Sequence, residues 1–338
     1  MPHKLVDLIQ AVDATHSRLG RLVAMGAVVA KAGKCMMVVA PAGTGKSTAL
    51  KMVGDAVGGA IVIDSVTRSS LGFFQGKLTG YDGLVVVDDV GKIDTAYSRI
   101  ATITTFAELT YSGFVSKHTI TTHVEITGFT GSVMMGIQPV ILAQVIGGPE
   151  WEANIADKVL RYYHLYRPQE PNRAVPPIFL GETFPLGEVS LGPRIDGLWR
   201  RLAIRMTPQW SDARLAEHLG DLLCACAAID GRDVVNGSDY RVLDDLLKPA
   251  SIERYLIQKL SLEEGRIFAG DLLAMLVEMA SWPNLTIERI CRDYRVTPDV
   301  VTRILKGMPE WFQVEATGRG KITCAPKLFE ILKLAGAR

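Results

Sequence analysis

No stretch of this chain is long and apolar enough to span a bilayer, so a helical membrane protein is excluded as a starting expectation. The first residues lack a basic-then-apolar leader pattern, and the expected compartment is cytoplasmic. Cysteine is sparse and unpatterned. Cys35, Cys224, Cys226, Cys291 and Cys324 are odd in number, scattered and set in apolar surroundings. Neither a disulfide framework nor a zinc site has that spacing, and reduced thiols are expected. Net charge is nearly absent, +1 over 338 residues, so any attraction to nucleic acid has to be local. Internal repeats and low-complexity segments are missing as well. What the chain does have is hydrophobic content, 48%, enough for extensive cores over a length that suggests two or three domains.

The chain is organised around Ala40-Pro41-Ala42-Gly43-Thr44-Gly45-Lys46-Ser47-Thr48. An apolar run, 36–39, precedes it and a helical pattern follows from Ala49. Strand, glycine-rich loop and helix in that order make a phosphate-binding P-loop. In such a loop, inward-pointing N–H groups backed by a helix N-terminus cradle phosphates. Ala42, Gly43, Thr44, Gly45, Lys46, Ser47 and Thr48 are therefore the expected nucleotide contacts. Lys46 is expected to reach the β- and γ-phosphates, and the Ser47 hydroxyl to bind Mg²⁺. The first position holds Ala40, where the pattern has Gly.

The run from Gly83 to Asp89 is apolar on both faces, as strands of covered parallel sheets are, and ends in two carboxylates. Carboxylates at that end of a strand sit where α/β sheets bind ligands. Asp88 is the expected Mg²⁺ ligand, directly or through water. Asp89 sits where related ATPases carry the acid that orients or deprotonates an attacking water, many of them a Glu where this chain has the shorter Asp. Residues 60–64 read as another buried strand. Residues 4 to about 30 read as one lead-in helix, and 93–111 as a second. From Gly113 to Ile126, β-branched and aromatic residues read as a β-hairpin. A buried strand then ends at Gln138-Pro139, which places Gln138 beside the P-loop within reach of the γ-phosphate or the water.

A P-loop, an acid strand ending in Asp-Asp, a hairpin and a strand ending in polar-Pro resemble, in that order, the AAA+ ATPases of the pre-sensor-1 hairpin group. Residues 131–139 are similar to the sensor-1 strand of the minichromosome maintenance helicases, with Gln138 where Asn is usual. Residues 87–92 and the pair Lys117-His118 resemble superfamily 3 viral helicases, in which Lys-His lies in a hairpin that grips DNA. Residues 159–165 are similar to a segment whose arginine reaches a neighbouring subunit's nucleotide. The resemblance thus implies Arg161 as an arginine finger, with Lys158 as the alternative, and so a homo-oligomeric ring, a hexamer. Residues 211–217 look like the start of the lid helix carrying sensor 2, with Arg214 in that role. Ser238 is the expected N-cap of the next helix. His123 and His164 read as packing residues.

Residues 168–193 form a proline-rich connector. The C-terminal block reads as a winged helix: a helix over 266–280, a break at Trp282-Pro283, helices over 286–294 and 298–307 with Thr297 as N-cap, then strand, turn and strand over 311–324. Between Arg295 and Arg338 stand eight Lys/Arg against four Asp/Glu. Arg303 and Lys306 on the recognition helix, and Arg319 and Lys321 at the wing, are candidate DNA contacts. A protein-binding winged helix is the alternative. The expected fold is α/β, a P-loop sheet core with helical lid and winged helix, divided into 1–30, 31–194, 195–261 and 262–338. The expected activity is ATP hydrolysis with Mg²⁺, coupled to DNA by a helicase-like motor replicating a compact replicon. A second reading is an ATP-switched DNA-binding or assembly factor, such as an initiator, helicase loader or transposition regulator. A third is a regulatory ATPase. Expected partners are DNA, further copies of the chain and replication or recombination proteins, with no membrane.

Overall fold

Five parallel strands form the centre of the computed structural model. They are β1 (Cys35–Val39), β2 (Ala60–Val62), β3 (Leu84–Val87), β6 (Ser132–Ile137) and β7 (Val159–Tyr163), in the spatial order β2-β3-β6-β1-β7. The described residues are 3–64, 66, 70–118, 123–146, 150–165, 189–206, 210–253, 286–294, 297–306, 308–314 and 320–334. The connector expected over 168–193 and the helix expected over 266–280 fall mostly or wholly outside them. A separate antiparallel hairpin, β4 (Val115–His118) with β5 (His123–Ile126), matches the expected one.

Strand residues divide alternately between two cores, because successive side chains point to opposite faces. Met37, Val39, Val85, Val133, Met135 and Tyr163 pack on one face. That face is covered by α4 (Leu71–Leu78), α5 (Ala96–Ser112), α6 (Pro139–Ile146) and the hairpin. Met36, Val38, Leu84, Val86, Met134 and Tyr162 pack on the other. There the cover is α1 (Lys4–Asp13), α2 (Gly20–Lys31), α3 (Lys46–Ala56), α7 (Asp196–Arg205), α8 (Asp212–Ile229) and α9 (Gly237–Leu247). Each fully buried Val, Leu or Met contributes about 1.5–3 kcal/mol. Among the described residues no helix is long and apolar enough to cross a membrane.

The single lead-in helix expected over 4–30 is two helices. Asp13 Oδ1 accepts the Gly20 N–H at 2.7 Å, starting α2 anew. A Cβ on Gly20 would lie 2.4 Å from the Ile9 carbonyl, so glycine lets the two helices meet closely. Arg18, in the turn between them, has φ of 58°. The N-cap of α9 is Asn236 rather than Ser238. Asn236 Oδ1 accepts the Ser238 N–H, and Asp239 Oδ2 accepts the Asn236 N–H, each at 2.8 Å, a reciprocal capping box.

At the C-terminus, α10 (Ile287–Tyr294) and α11 (Pro298–Lys306) precede an antiparallel ribbon, β8 (Phe312–Val314) with β9 (Ile322–Cys324). A closing helix, α12 (Pro326–Leu334), follows the ribbon and has no counterpart in the sequence reading. Thr297 O accepts the Val301 N–H at 3.2 Å, which opens α11 where expected.

The start of α1 is fastened to α9. His3 Nδ1 accepts the Leu5 N–H, so its Nε2 carries the proton and donates to Asp239 Oδ1 at 3.1 Å. Burial alone raises the Asp239 carboxyl. Hydrogen bonds from His3, Arg232 and the Asn236 N–H, with the Arg232 charge, outweigh it and hold the carboxyl down at about 2. A depressed acid stabilises the fold above its unfolded value of about 3.9 and loses that contribution as pH falls toward 2, about 2 kcal/mol in all. Asp239→Asn is therefore expected to be less stable than wild type at pH 6. The gap should narrow between pH 4 and pH 2 in urea titrations; a gap independent of pH would remove Asp239 as its source.

Candidate active site

The strand order brings four chain segments to one edge. The P-loop leaves β1, Asp88 and Asp89 leave β3, Gln138 leaves β6 and His164 leaves β7. Because β6 lies between β1 and β3, Gln138 stands between the P-loop and the two acids.

Gly43 and Gly45 have φ of 78° and 85°, a region open to glycine at little cost. Gly45 caps α3 without any side-chain hydrogen bond, so the first-turn N–H groups remain available to an anion. Thr44 is buried and its hydroxyl donates to the Pro41 carbonyl at 2.9 Å, which shapes the loop. Ala42, Gly43, Ser47 and Thr48 are exposed along it. Lys46 is 7% exposed. Its Nζ lies 3.1 Å from Asp89 Oδ2 as an ion pair, yet no acceptor meets it in hydrogen-bond geometry. A buried ammonium in that condition is suited to an incoming polyanion.

Asp89 is held from two further sides. Its Oδ1 accepts the Gly91 N–H at 2.8 Å, and Gln138 Nε2 lies 3.5 Å from Oδ2. Asp88 pairs with Lys92 at 2.6 Å. Burial pushes the Asp88 carboxyl up, but hydrogen bonds from Lys92 and Ser47 and the charges of Lys92 and Lys46 bring it below the usual range. A Ser hydroxyl on an ionised carboxylate is an oxygen pair suited to Mg²⁺. Lys46, Ser47, Asp88, Asp89 and Gln138 thus converge as expected.

His164, expected only to pack, also braces the loop. Its Nε2–H donates to the Thr44 carbonyl at 3.1 Å, and its own N–H to Val39 O at 2.9 Å. Burial lowers its pKa to about 4 despite that carbonyl, so the ring is neutral at pH 7. His164 and Tyr162 also line a cavity of about 670 Å³ between the α1–α2 pair and α9, with Arg18 and Arg241 in its walls. The side chain of Leu19 touches the P-loop: a Cβ on Gly45 would lie 3.1 Å from Leu19 Cδ1.

Searched against protein-family models, the chain matches none. No curated protein sequence matches it either. The functional reading therefore rests on this geometry.

Two expected residues lie elsewhere. Arg161 is completely buried on β7, opposite Met37. It pairs with Glu253, 2.6 Å from Nη2 to Oε1 and 2.9 Å from Nε to Oε2, and donates to the Ala156 and Val159 carbonyls. Trp151 covers the guanidinium at 4.9 Å. Such a side chain cannot reach a neighbouring subunit, and the strand alternation that sends Val159 and Tyr163 into the core sends Arg161 there too. Lys158, the alternative, lies 5.6 Å over the Tyr111 ring. Arg214 stacks on Tyr111 at 3.6 Å and pairs with Glu217, which also binds Lys34, the residue before β1. The whole of β1, roughly 16 Å of strand, therefore separates Arg214 from the P-loop.

The candidate DNA contacts that are described stand on other elements than these. The Lys117 and His118 backbones pair with Val124 and His123, at the end of the hairpin nearest its turn. Arg303 and Lys306 are exposed on α11, and Lys321 is exposed before β9. Arg319 lies outside the described residues. Among the described residues no group of three or more His, Cys, Asp or Glu could hold a metal, and Cys35 and Cys226 are buried free thiols.

Arg161→Ala should strand the Glu253 carboxylate and cost about 3–5 kcal/mol of stability, read by denaturant unfolding. Wild-type stability with lost turnover would instead return Arg161 to a trans role. Gly136→Ala sets a second test. Its Cβ would lie 2.1 Å from the Asp88 carbonyl and 3.0 Å from Lys46 Cδ. It should cost ~1–3 kcal/mol and weaken nucleotide binding; unchanged stability and binding would show that the two strands separate freely.

Proposed function

We propose that the chain is an ATP hydrolase of the P-loop, AAA+ kind that couples nucleotide turnover to DNA. The observation that carries this reading is Lys46, buried without a hydrogen-bond acceptor beside Asp89, at the edge where Ser47, Asp88 and Gln138 converge. The P-loop holds the phosphates, and the adjoining cavity takes the nucleoside. Ser47 and Asp88 would hold Mg²⁺, which would supply positive charge at the phosphates when bound. Lys46 exchanges Asp89 for phosphate and neutralises developing negative charge. Asp89, kept in place by the Gly91 N–H and Gln138, is then free to orient water for in-line attack. Neutral His164 keeps the Thr44 carbonyl turned away from the phosphates.

The DNA side of the proposal draws on the exposed Arg303 and Lys306 of α11 and Lys321 before β9, in a unit read as a winged helix, and on the hairpin carrying Lys117 and His118. A motor and an ATP-switched assembly factor both fit these parts. The burial of Arg161 favours the switch, because the ring rested on that residue as a trans finger.

Lys46→Ala is expected to abolish nucleotide binding. Asp89→Asn should bind ATP yet hydrolyse it about 10²–10⁴-fold more slowly. Wild-type turnover in both variants would overturn the P-loop reading. For the DNA arm, the triple variant Arg303→Ala, Lys306→Ala, Lys321→Ala should weaken duplex binding and flatten its salt slope by roughly 0.9 for each phosphate no longer neutralised. Lys117→Ala with His118→Ala separates the two couplings: a motor loses strand separation, and a switch keeps ATP-controlled duplex binding.

A further inference from the structure

The cavity that His164 joins to the P-loop, through its hydrogen bond to Thr44, has walls from distant parts of the chain. Arg18 and Arg21 stand in the wall at the α1–α2 turn, and Ser238, Arg241 and Asp245 in the wall at α9. Arg21 is already matched by Asp245, at 2.9 Å. Arg241 has no hydrogen bond or ion pair with another described residue. Arg18 is the only non-glycine residue with positive φ among those described. A left-handed arginine is conformationally costly where glycine is not, and such strain collects at ligand contacts. The turn is also pinned, by Asp13 to the Gly20 N–H and by Leu19 against Gly45. The strained residue therefore stands next to one that touches the phosphate loop.

We infer that Arg18 and Arg241 grip the bound nucleoside triphosphate from opposite walls, through its phosphate–ribose end, while Val6, Ile9 and Val242 face the base. A guanidinium suits both tasks in such a cavity. Its fork matches phosphate oxygens, and its plane stacks on a base. The inference rests on the P-loop reading and adds two residues that the nucleotide motifs do not contain. It also gives the lid a nucleotide contact, Arg241 on α9, in place of Arg214.

The test is titration of the full chain with a fluorescent ATP analogue, alongside thermal unfolding. Arg18→Gly removes the guanidinium, which also acts on Asp13 within the fold, and should increase Kd about 10-fold or more in protein that still unfolds cooperatively. Arg241→Ala should raise Kd similarly without loss of stability, and Arg18→Lys should restore part of the affinity. Wild-type Kd in both Arg18→Gly and Arg241→Ala, with Lys46→Ala still abolishing binding, would overturn the grip and leave the P-loop reading standing. Wild-type protein that binds the analogue no better than Lys46→Ala would overturn both.

Discussion

Residue 136 has no room for a side chain, and the site depends on that. A Cβ at Gly136 would meet both the Asp88 carbonyl and the Lys46 stem. With glycine there, the Lys46 stem passes the strand and its Nζ comes within 3.1 Å of Asp89 Oδ2. Wider spacing would leave a buried lysine without its counter-charge, which is far costlier than an exposed one. The same closeness sets Gln138 beside Asp89, since it follows Gly136 by two residues in the chain.

The two faces of the sheet have separate tasks. One buries α4–α6, the hairpin and Arg161 with its Glu253 partner. The other carries the elements that line the cavity: the α1–α2 pair, β7 through Tyr162 and His164, and α9. Arg161 nonetheless joins them, because Glu253 lies just beyond α9 in the chain. A buried, bidentate pair of this kind fixes geometry more than it adds net stability. Here it fixes where the segment after α9 meets the edge strand.

Much of the fold is legible in the sequence wherever one short-range pattern decides it. The continuous apolar runs of β1, β3 and β6 point to a buried parallel sheet, and the glycines and Lys-Ser of the P-loop mark its position. The hairpin follows from β-branched residues. Where sequence reasoning fails, the deciding contact is distant or directional. Arg161 looks available because its neighbours match a short string; strand alternation and a carboxylate far along the chain place it inside. Arg214 follows from the helix start, yet Glu217 and Tyr111 hold it at the far end of β1. The break in the lead-in helix turns on Asp13 reaching Gly20, a capping contact seven residues long that periodicity does not report. His164 has no motif at all, and its role emerges only once β7 is seen beside β1.

His3 and Asp239 are 236 positions apart in the chain. At ordinary synthesis rates, roughly 10–50 s pass between the two leaving the ribosome's active centre. Until α8 and α9 emerge in turn, the apolar faces of α1 and α2 exist without them. The P-loop and its sheet can be complete in sequence while one side of their core is still open. Until α9 emerges, a nascent chain therefore carries on α1 and α2 a hydrophobic surface that is covered among the described residues, and completion of this side of the core waits for α9.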